Sequence, residues 1–360
     1  MFDVAIAGAG PAGATLARLI GKSYRLLLID KRHFQEPSEG FACEKCCGGL
    51  LAPDAQRMLS KLGLGLPSSV LEDPQLFVVK AVDIPASLER YYQRHYINMN
   101  RQRFDCWLLS LVPPGVDVRT GCRLVSYATR GASLELTLAQ GGRTYTENAK
   151  ILVGADGAAS RVRRGLGSQC VPVRRYFAVQ EWVERDHSLP YFTSVFDREI
   201  TDYYCWTIPK ADHLIIGAAL YPRRKTCEKF ALLKKKLRGC GFAFGKTIRR
   251  EGGFLLRPLG AGQVCTGNER VALVGEAAGW VSPSSAEGLS YAFRSALLLA
   301  EVLHPAPEAF AKRYRQKTGP LKRNIFLKNL KSQVIFNPAL RRAIMQSGLQ
   351  SVTMYAPPQH

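Results

Sequence analysis

Val4-Ala5-Ile6-Ala7-Gly8-Ala9-Gly10-Pro11-Ala12-Gly13 decides the fold. Residues 4–7 form a short, continuous apolar run, the pattern of a parallel strand buried on both faces. A helix is predicted to follow through Ala14, Leu16, Ala17 and Leu19. At the turn between them Gly8 permits the tight bend. Gly10 lets a pyrophosphate approach the backbone, with Pro11 and Ala12 opening the helix, and Gly13 allows close packing of helix on strand. The helix N-terminus offers unpaired N–H groups and a positive partial charge to phosphates. A second strand, Arg25 to Ile29, ends at Asp30, where a carboxylate accepts ribose hydroxyls, with Lys31 beside it.

A single turn of this kind carries little information, but two more occur. Ile151-Leu152-Val153 runs into Gly154-Ala155-Asp156-Gly157, and Val271-Ala272-Leu273-Val274 into Gly275-Glu276-Ala277-Ala278-Gly279. A nicotinamide-only domain needs neither. A flavin dinucleotide gripped along its whole length, from adenine to isoalloxazine, needs both, so the expected cofactor is FAD.

At 360 residues, the chain is expected to hold two connected domains. No apolar run approaches a membrane span, and residues 1–20 lack a basic n-region and a cleavage site. Ten cysteines without framework spacing point to reduced thiols and a cytoplasmic location. The net charge of +21 concentrates in residues 221–250 and 306–360. No nucleic-acid module is visible. In the second region Ile325, Phe326, Leu327, Leu330, Val334, Ile335 and Phe336 lie among the cations. That interleaving fits a helix on an anionic membrane surface, at the inner face of the membrane, and equally a helix packed on its own protein. An acidic electron-donor protein is another partner for such charge.

The expected fold class is α/β: a Rossmann-like FAD-binding domain, an inserted β-sheet substrate domain and a C-terminal helical appendage. The FAD-binding domain is assigned to residues 1–75, 99–165 and 265–305, the substrate domain to 76–98 and 166–264, and the helical region to 306–360. A basic helical stretch is expected between the strands that end at Leu220 and the return at Val271, and Gly288 to Leu303 reads as a long helix.

These residues resemble the flavin monooxygenase-like superfamily and, more narrowly, the geranylgeranyl reductase family. Gly8 to Gly13, Gly154 to Arg163, and Gly275 to Gly279 with Pro283 and Glu287-Gly288 are similar to the superfamily motifs. Cys47-Gly48-Gly49-Leu50 resembles the segment these reductases place beside the flavin ring. Tyr204-Cys205-Trp206-Thr207-Ile208-Pro209 resembles their Y-x-W-x-F-P substrate motif, with Ile208 in the Phe place. Glu276 replaces the usual Asp, and Ala286 a glycine. The resemblance implies that Arg101 clamps FAD from its second side, though Arg101 with Asp105 is also an ordinary i,i+4 pair. It implies that Asp156, Gly157, Gly275 and Glu276 meet the ribityl and pyrophosphate, and that Arg163 is a phosphate-grade cation at the site edge. Gly288 and Leu289 open a helix toward the flavin N1–C2=O edge. Cys43, Cys46 and Cys47 lack the partners of a zinc site. A Cys43–Cys46 redox disulfide is the alternative to a flavin-side Cys47.

The implied reaction is reduction of carbon–carbon double bonds of an apolar, isoprenoid substrate. Tyr204 and Trp206 form a flat wall, and Cys47, Tyr204 or water acts as proton donor. The reductant is NAD(P)H or a ferredoxin-like donor. A flavin-dependent aromatic hydroxylase and a non-catalytic flavoprotein or electron carrier at a membrane are the rival functions.

Overall fold

The computed structural model describes residues 1–34, 45–185, 190–222, 225–304 and 309–354. Its chain runs β1 (Phe2–Ala7), α1 (Pro11–Ile20), β2 (Leu26–Asp30), β3 (Leu50–Leu51), α2 (Pro53–Lys61), β4 (Leu76–Asp83), β5 (Leu88–Asn98), α3 (Arg101–Ser110), β6 (Asp117–Thr120), β7 (Cys122–Arg130), β8 (Ser133–Gln140) and β9 (Arg143–Gly154). It continues with α4 (Arg161–Gly165), β10 (Arg174–Arg185), β11 (Tyr191–Phe196), β12 (Cys205–Lys210), β13 (His213–Leu220), α5 (Thr226–Gly239), β14 (Phe244–Arg257), β15 (Val271–Leu273), α6 (Leu289–Leu303), α7 (Phe310–Lys317), α8 (Gly319–Phe336) and α9 (Pro338–Ser347).

Two sheets result. In the first, β1 pairs in parallel with β2 and β9, β2 with β6, and β9 with β15. The all-apolar runs of β1, β2 and the end of β9 are buried, as a parallel sheet covered on both faces requires. β9 is long enough to leave this layer and pair antiparallel with β8, which continues to β7. The second sheet has the order β14-β10-β13-β12-β11-β4-β5-β3. Residues 50–51 therefore join the second sheet, through Leu50 opposite Asn98. α1 and α6 pack on the parallel layer through Leu16, Ala17, Ile20, Ala292, Ala296 and Leu299.

The structure corrects two expectations. The basic stretch before Val271 is helical only in part: α5 stops at Gly239, the chain turns through Gly241 at φ +82°, and β14 begins at Phe244. β14 lies along β10 from Arg257 opposite Arg174 to Phe244 opposite Arg185. Its cations reflect a solvated strand face and a local task. Glu181, fully buried on β10, accepts from Lys234 at 2.7 Å, Arg250 Nε at 2.8 Å and Thr247 at 2.9 Å. The thiols are not all reduced either, because Cys170 and Cys265 form a disulfide across 95 residues. The fold brings their Cα atoms to 5.4 Å, a proximity that spacing in sequence does not reveal.

The C-terminal helices fold back over both sheets. Tyr314 is buried under β15 and donates to the Leu273 carbonyl, Lys328 pairs with Asp54 on α2, and Arg341 with Asp83 on β4. Among the described residues, no helix is long and apolar enough to cross a membrane.

Candidate active site

The glycines of the first turn divide their tasks. A Cβ on Gly13 would lie 1.8 Å from the Gly8 carbonyl oxygen, and one on Gly8, at φ +106°, 2.4 Å from that of Ala155. Both positions are closed by backbone. At Gly10 the nearest atom is Arg32 Nη2 at 3.7 Å, so space is left where a phosphate would enter. No side chain caps α1, whose first-turn N–H groups face that space. Asp30 accepts the Ala9 N–H at 2.7 Å and is held by the Arg32 guanidinium at 3.1 Å, while Lys31 is exposed. Arg32 also donates to Asp105 at 2.8 Å, which ties β2 to α3.

In the second motif, Asp156 Oδ2 accepts the N–H groups of Arg161 and Val162, but Oδ1 is buried without a partner. Burial raises this carboxyl group's pKa. Gly157 has φ +73° and nothing within 4 Å of a built Cβ. Arg163 donates to the carbonyls of Ala277, Val171 and Gln263. It is a strut between the second and third motifs. The third motif sits against the first, since a Cβ on Gly275 would come within 2.9 Å of the Ala12 Cβ. Glu276 is pinned by the Leu256 N–H at 2.9 Å, and burial raises its pKa. Gly288 caps α6, which starts at Leu289, and Glu287 already accepts the Ser290 N–H at 2.7 Å. Ala286 adopts φ +54°, the left-handed region that favours glycine.

Cys47-Gly48-Gly49 and β12 are pressed together. A Cβ on Gly48 would stand 2.3 Å from Ile208 Cδ1, and one on Gly49, at φ +63°, 2.2 Å from the Met99 carbonyl oxygen. Lys210, 2% exposed, locks the segment by donating to the carbonyls of Gly49 and Met99 and pairing with Glu72. Cys46 donates to the Ala178 carbonyl, and Cys43 lies outside the described residues. Arg101 makes the i,i+4 pair with Asp105 at 2.7 Å and also donates from Nη1 to Cys47 Sγ at 3.3 Å. Burial pushes the Cys47 thiol up, but Arg101, the Gly49 N–H and Lys45 outweigh it, so its pKa falls below the ordinary thiol value. Arg101, Arg32 and Lys45 thus form one charge cluster with Asp105, Asp30 and Glu276.

The aromatic wall closes the other side. Tyr204 and Trp206 ring centroids are 5.6 Å apart, and Phe336 of α8 stacks on Tyr204 at 6.5 Å. Trp206 lies flat over Gly217 of β13, where a Cβ would come within 2.1 Å of the indole. Its Nε1 is buried without a partner. The Tyr204 hydroxyl donates to the Ser285 carbonyl at 2.9 Å, and burial holds its pKa well above the ordinary phenol value. Its proton is committed, which leaves the ring as its contribution. Sequence reading missed Arg32, Lys45, Lys210, Gly217 and Phe336. Arg32 lies two residues past the acid of the first motif, Lys45 between Cys43 and Cys46, Lys210 directly after Pro209 and Phe336 among the apolar residues of the basic C-terminal region, whereas Gly217 had no signal nearby.

An uncapped helix end, room at Gly10 and an unpartnered buried Asp156 oxygen fit a dinucleotide, which α1, Asp30 and Asp156 would hold. The residues define an FAD-dependent oxidoreductase, and the chain belongs to the FAD-binding domain family, whose model matches residues 1–230. Among its relatives, it is 42% identical over 351 residues to Protein CbrA of Escherichia coli, spanning 98% of both chains. The match to Protein CbrA of Shigella sonnei has the same identity and coverage. A geranylgeranyl bacteriochlorophyll reductase-like protein from Thermoplasma acidophilum shares the fold with a TM-score of 0.78 at 18% identity, covering 96% of this chain and 90% of that one. PqsL, a probable FAD-dependent monooxygenase from Pseudomonas aeruginosa, does so at 0.67 and 18%, covering 97% and 99%.

Proposed function

We propose that the protein is an FAD-dependent reductase that saturates carbon–carbon double bonds of an apolar, isoprenoid substrate. The observation that carries this reading is the pairing of Arg101-supported Cys47 with a wall of Tyr204, Trp206 and Phe336. FAD, reduced by a nicotinamide nucleotide or a ferredoxin-like donor, supplies the hydride. Cys47 gives its proton to the other alkene carbon, and Arg101 stabilises the thiolate left behind. The ring wall binds the chain by apolar burial, worth about 0.8 kcal/mol for each buried CH₂. A prenyl double bond offers no hydrogen bond, and the committed Tyr204 hydroxyl asks for none.

The test is anaerobic. Photoreduced protein is mixed with a polyprenyl alcohol, and the flavin spectrum and product mass are followed. Reoxidation with a gain of two hydrogens per bond supports the reading. Reoxidation only after oxygen is admitted, with one oxygen atom in the product, would make the protein a hydroxylase.

The same reading accounts for α8. Phe326, Leu327 and Leu330 are each about half exposed beside the exposed cations Arg323 and Lys331. This face is suited to an anionic lipid surface that holds the substrate. Lys328, engaged with Asp54, does not take part. Cosedimentation with anionic vesicles that is insensitive to Phe326→Ser plus Leu330→Ser would refute it.

A further inference from the structure

A cavity of about 420 Å³ lies where β14 and the loop before β12 meet α8. Arg174, Arg198, Arg257, Asp202, Asn329 and Phe336 line it. Its mouth is open, since the side chains of Arg174 and Asp202 are 37% and 46% exposed. Its floor is Arg257, which is 6% exposed and held between the rings of Tyr203 and Phe336 at 4.4 and 4.5 Å. Arg257 Nη1 donates to the Tyr176 hydroxyl at 3.3 Å and the Asp202 carbonyl at 3.4 Å. Its Nε is buried with no partner.

The charges do not balance. Asp202 is taken by Arg174 at 2.8 Å and by the Tyr176 hydroxyl at 3.0 Å. Arg198 donates to the Phe336 carbonyl, and among the described residues no carboxylate pairs with Arg198 or Arg257. A buried guanidinium with an unused N–H is costly unless an anion completes it. Buried Arg257 and exposed Arg198 at the mouth, neither paired with a carboxylate among the described residues, together match a phosphate group, which carries about 1.5–2 negative charges, better than a carboxylate, which carries one.

We propose that this cavity is a binding site for a phosphate group, free or as the head of a phosphomonoester, with Arg198 and Arg257 as its cationic ligands. The site shares Phe336 with the aromatic wall, but the binding claimed for it does not rest on the proposed reaction. Phosphate can be bound or not bound whatever the enzyme reduces.

The test is calorimetric titration of the FAD-loaded protein, at constant ionic strength in chloride, with inorganic phosphate, dodecyl phosphate and dodecanol. Saturable phosphate binding is expected, weakened about tenfold or more by Arg198→Gln and by Arg257→Lys at unchanged flavin content. Arg342→Gln, an exposed cation of α9, should leave it unaltered. Dodecyl phosphate binding far more tightly than phosphate, with dodecanol inert, identifies an amphiphile headgroup. Equal affinities identify the free anion. Failure of wild-type protein to saturate with either phosphate at millimolar concentration overturns the proposal. So does binding that Arg198→Gln leaves intact, or that Arg342→Gln weakens equally. Should Arg257→Lys not fold, Arg198→Gln alone decides.

Discussion

Replacing Arg101 with Met should turn Cys47 from an acidic thiol into a sluggish one. Arg101 Nη1 stands 3.3 Å from Cys47 Sγ. Unit charges about 4 Å apart at an effective dielectric of about 20 interact by about 4 kcal/mol, and protein sites of this kind show shifts of about one to three pKa units. With the guanidinium gone, burial is the largest influence left, and it acts upward. The thiolate fraction at neutral pH should therefore fall between about tenfold and a thousandfold. Iodoacetamide alkylation across a pH series, read by peptide mass spectrometry on FAD-loaded and stripped protein, measures it. Cys227, exposed on α5, serves as the internal reference. Arg101→Lys should recover part of the shift by restoring a charge. Identical Cys47 profiles in wild type and Arg101→Met would refute the electrostatic account and the acid role built on it.

Gly10→Val should fold with an unchanged circular dichroism spectrum yet hold no flavin. Gly13→Ala, with its Cβ on the Gly8 carbonyl, should instead lose about 1–3 kcal/mol of stability. The reverse pattern would show that the space at Gly10 is not the phosphate entry. Glu181 is held below the ordinary carboxylate range because Lys234, Arg250 and Thr247 outweigh burial. Its contribution is present above the unfolded-state value and is lost as pH falls through the folded one. Glu181→Gln should therefore cost about 2 kcal/mol near neutrality and progressively less in acid. Urea melts at several pH values test this, and a pH-independent loss would contradict it. Ala286→Gly should raise stability by about 0.5–1 kcal/mol by relieving a left-handed alanine, checked by the same melts.

The parallel core was legible because each of its strands announces itself twice, by an unbroken apolar run and by the glycine turn that ends it. β14 was not. Its Lys246, Arg249 and Arg250 follow directly on the basic helix α5, and its period-two exposure is visible only once β10 lies beside it. Arg32 escaped because the first motif ends in its acid, whereas the neutralisation of Asp30 and Asp105 by one guanidinium joins residues 73 positions apart. The Cys-Gly-Gly and Tyr-Cys-Trp segments were recognisable singly. That Gly48 must lack a side chain because Ile208 occupies its place is a fact of packing. Residues 306–360 carried two readings, and the structure contains both faces. Ile325 and Phe336 point inward, and Phe326, Leu327 and Leu330 outward.

The bond between Cys170 and Cys265 closes β10 through β14 and α5 into a covalent ring. A single backbone cut inside that ring leaves the polypeptide one molecule until a reductant is added. Both seams of the ring lie side by side at a 5.4 Å Cα separation. The five strands between them are in effect a cartridge: a different set could be spliced at residues 170 and 265 without a linker to span the gap. Any such insert would have to match three contacts that cross its boundary, the pairing of β11 with β4, the bond from the Leu256 N–H to Glu276 and the stacking of Phe336 on Tyr204.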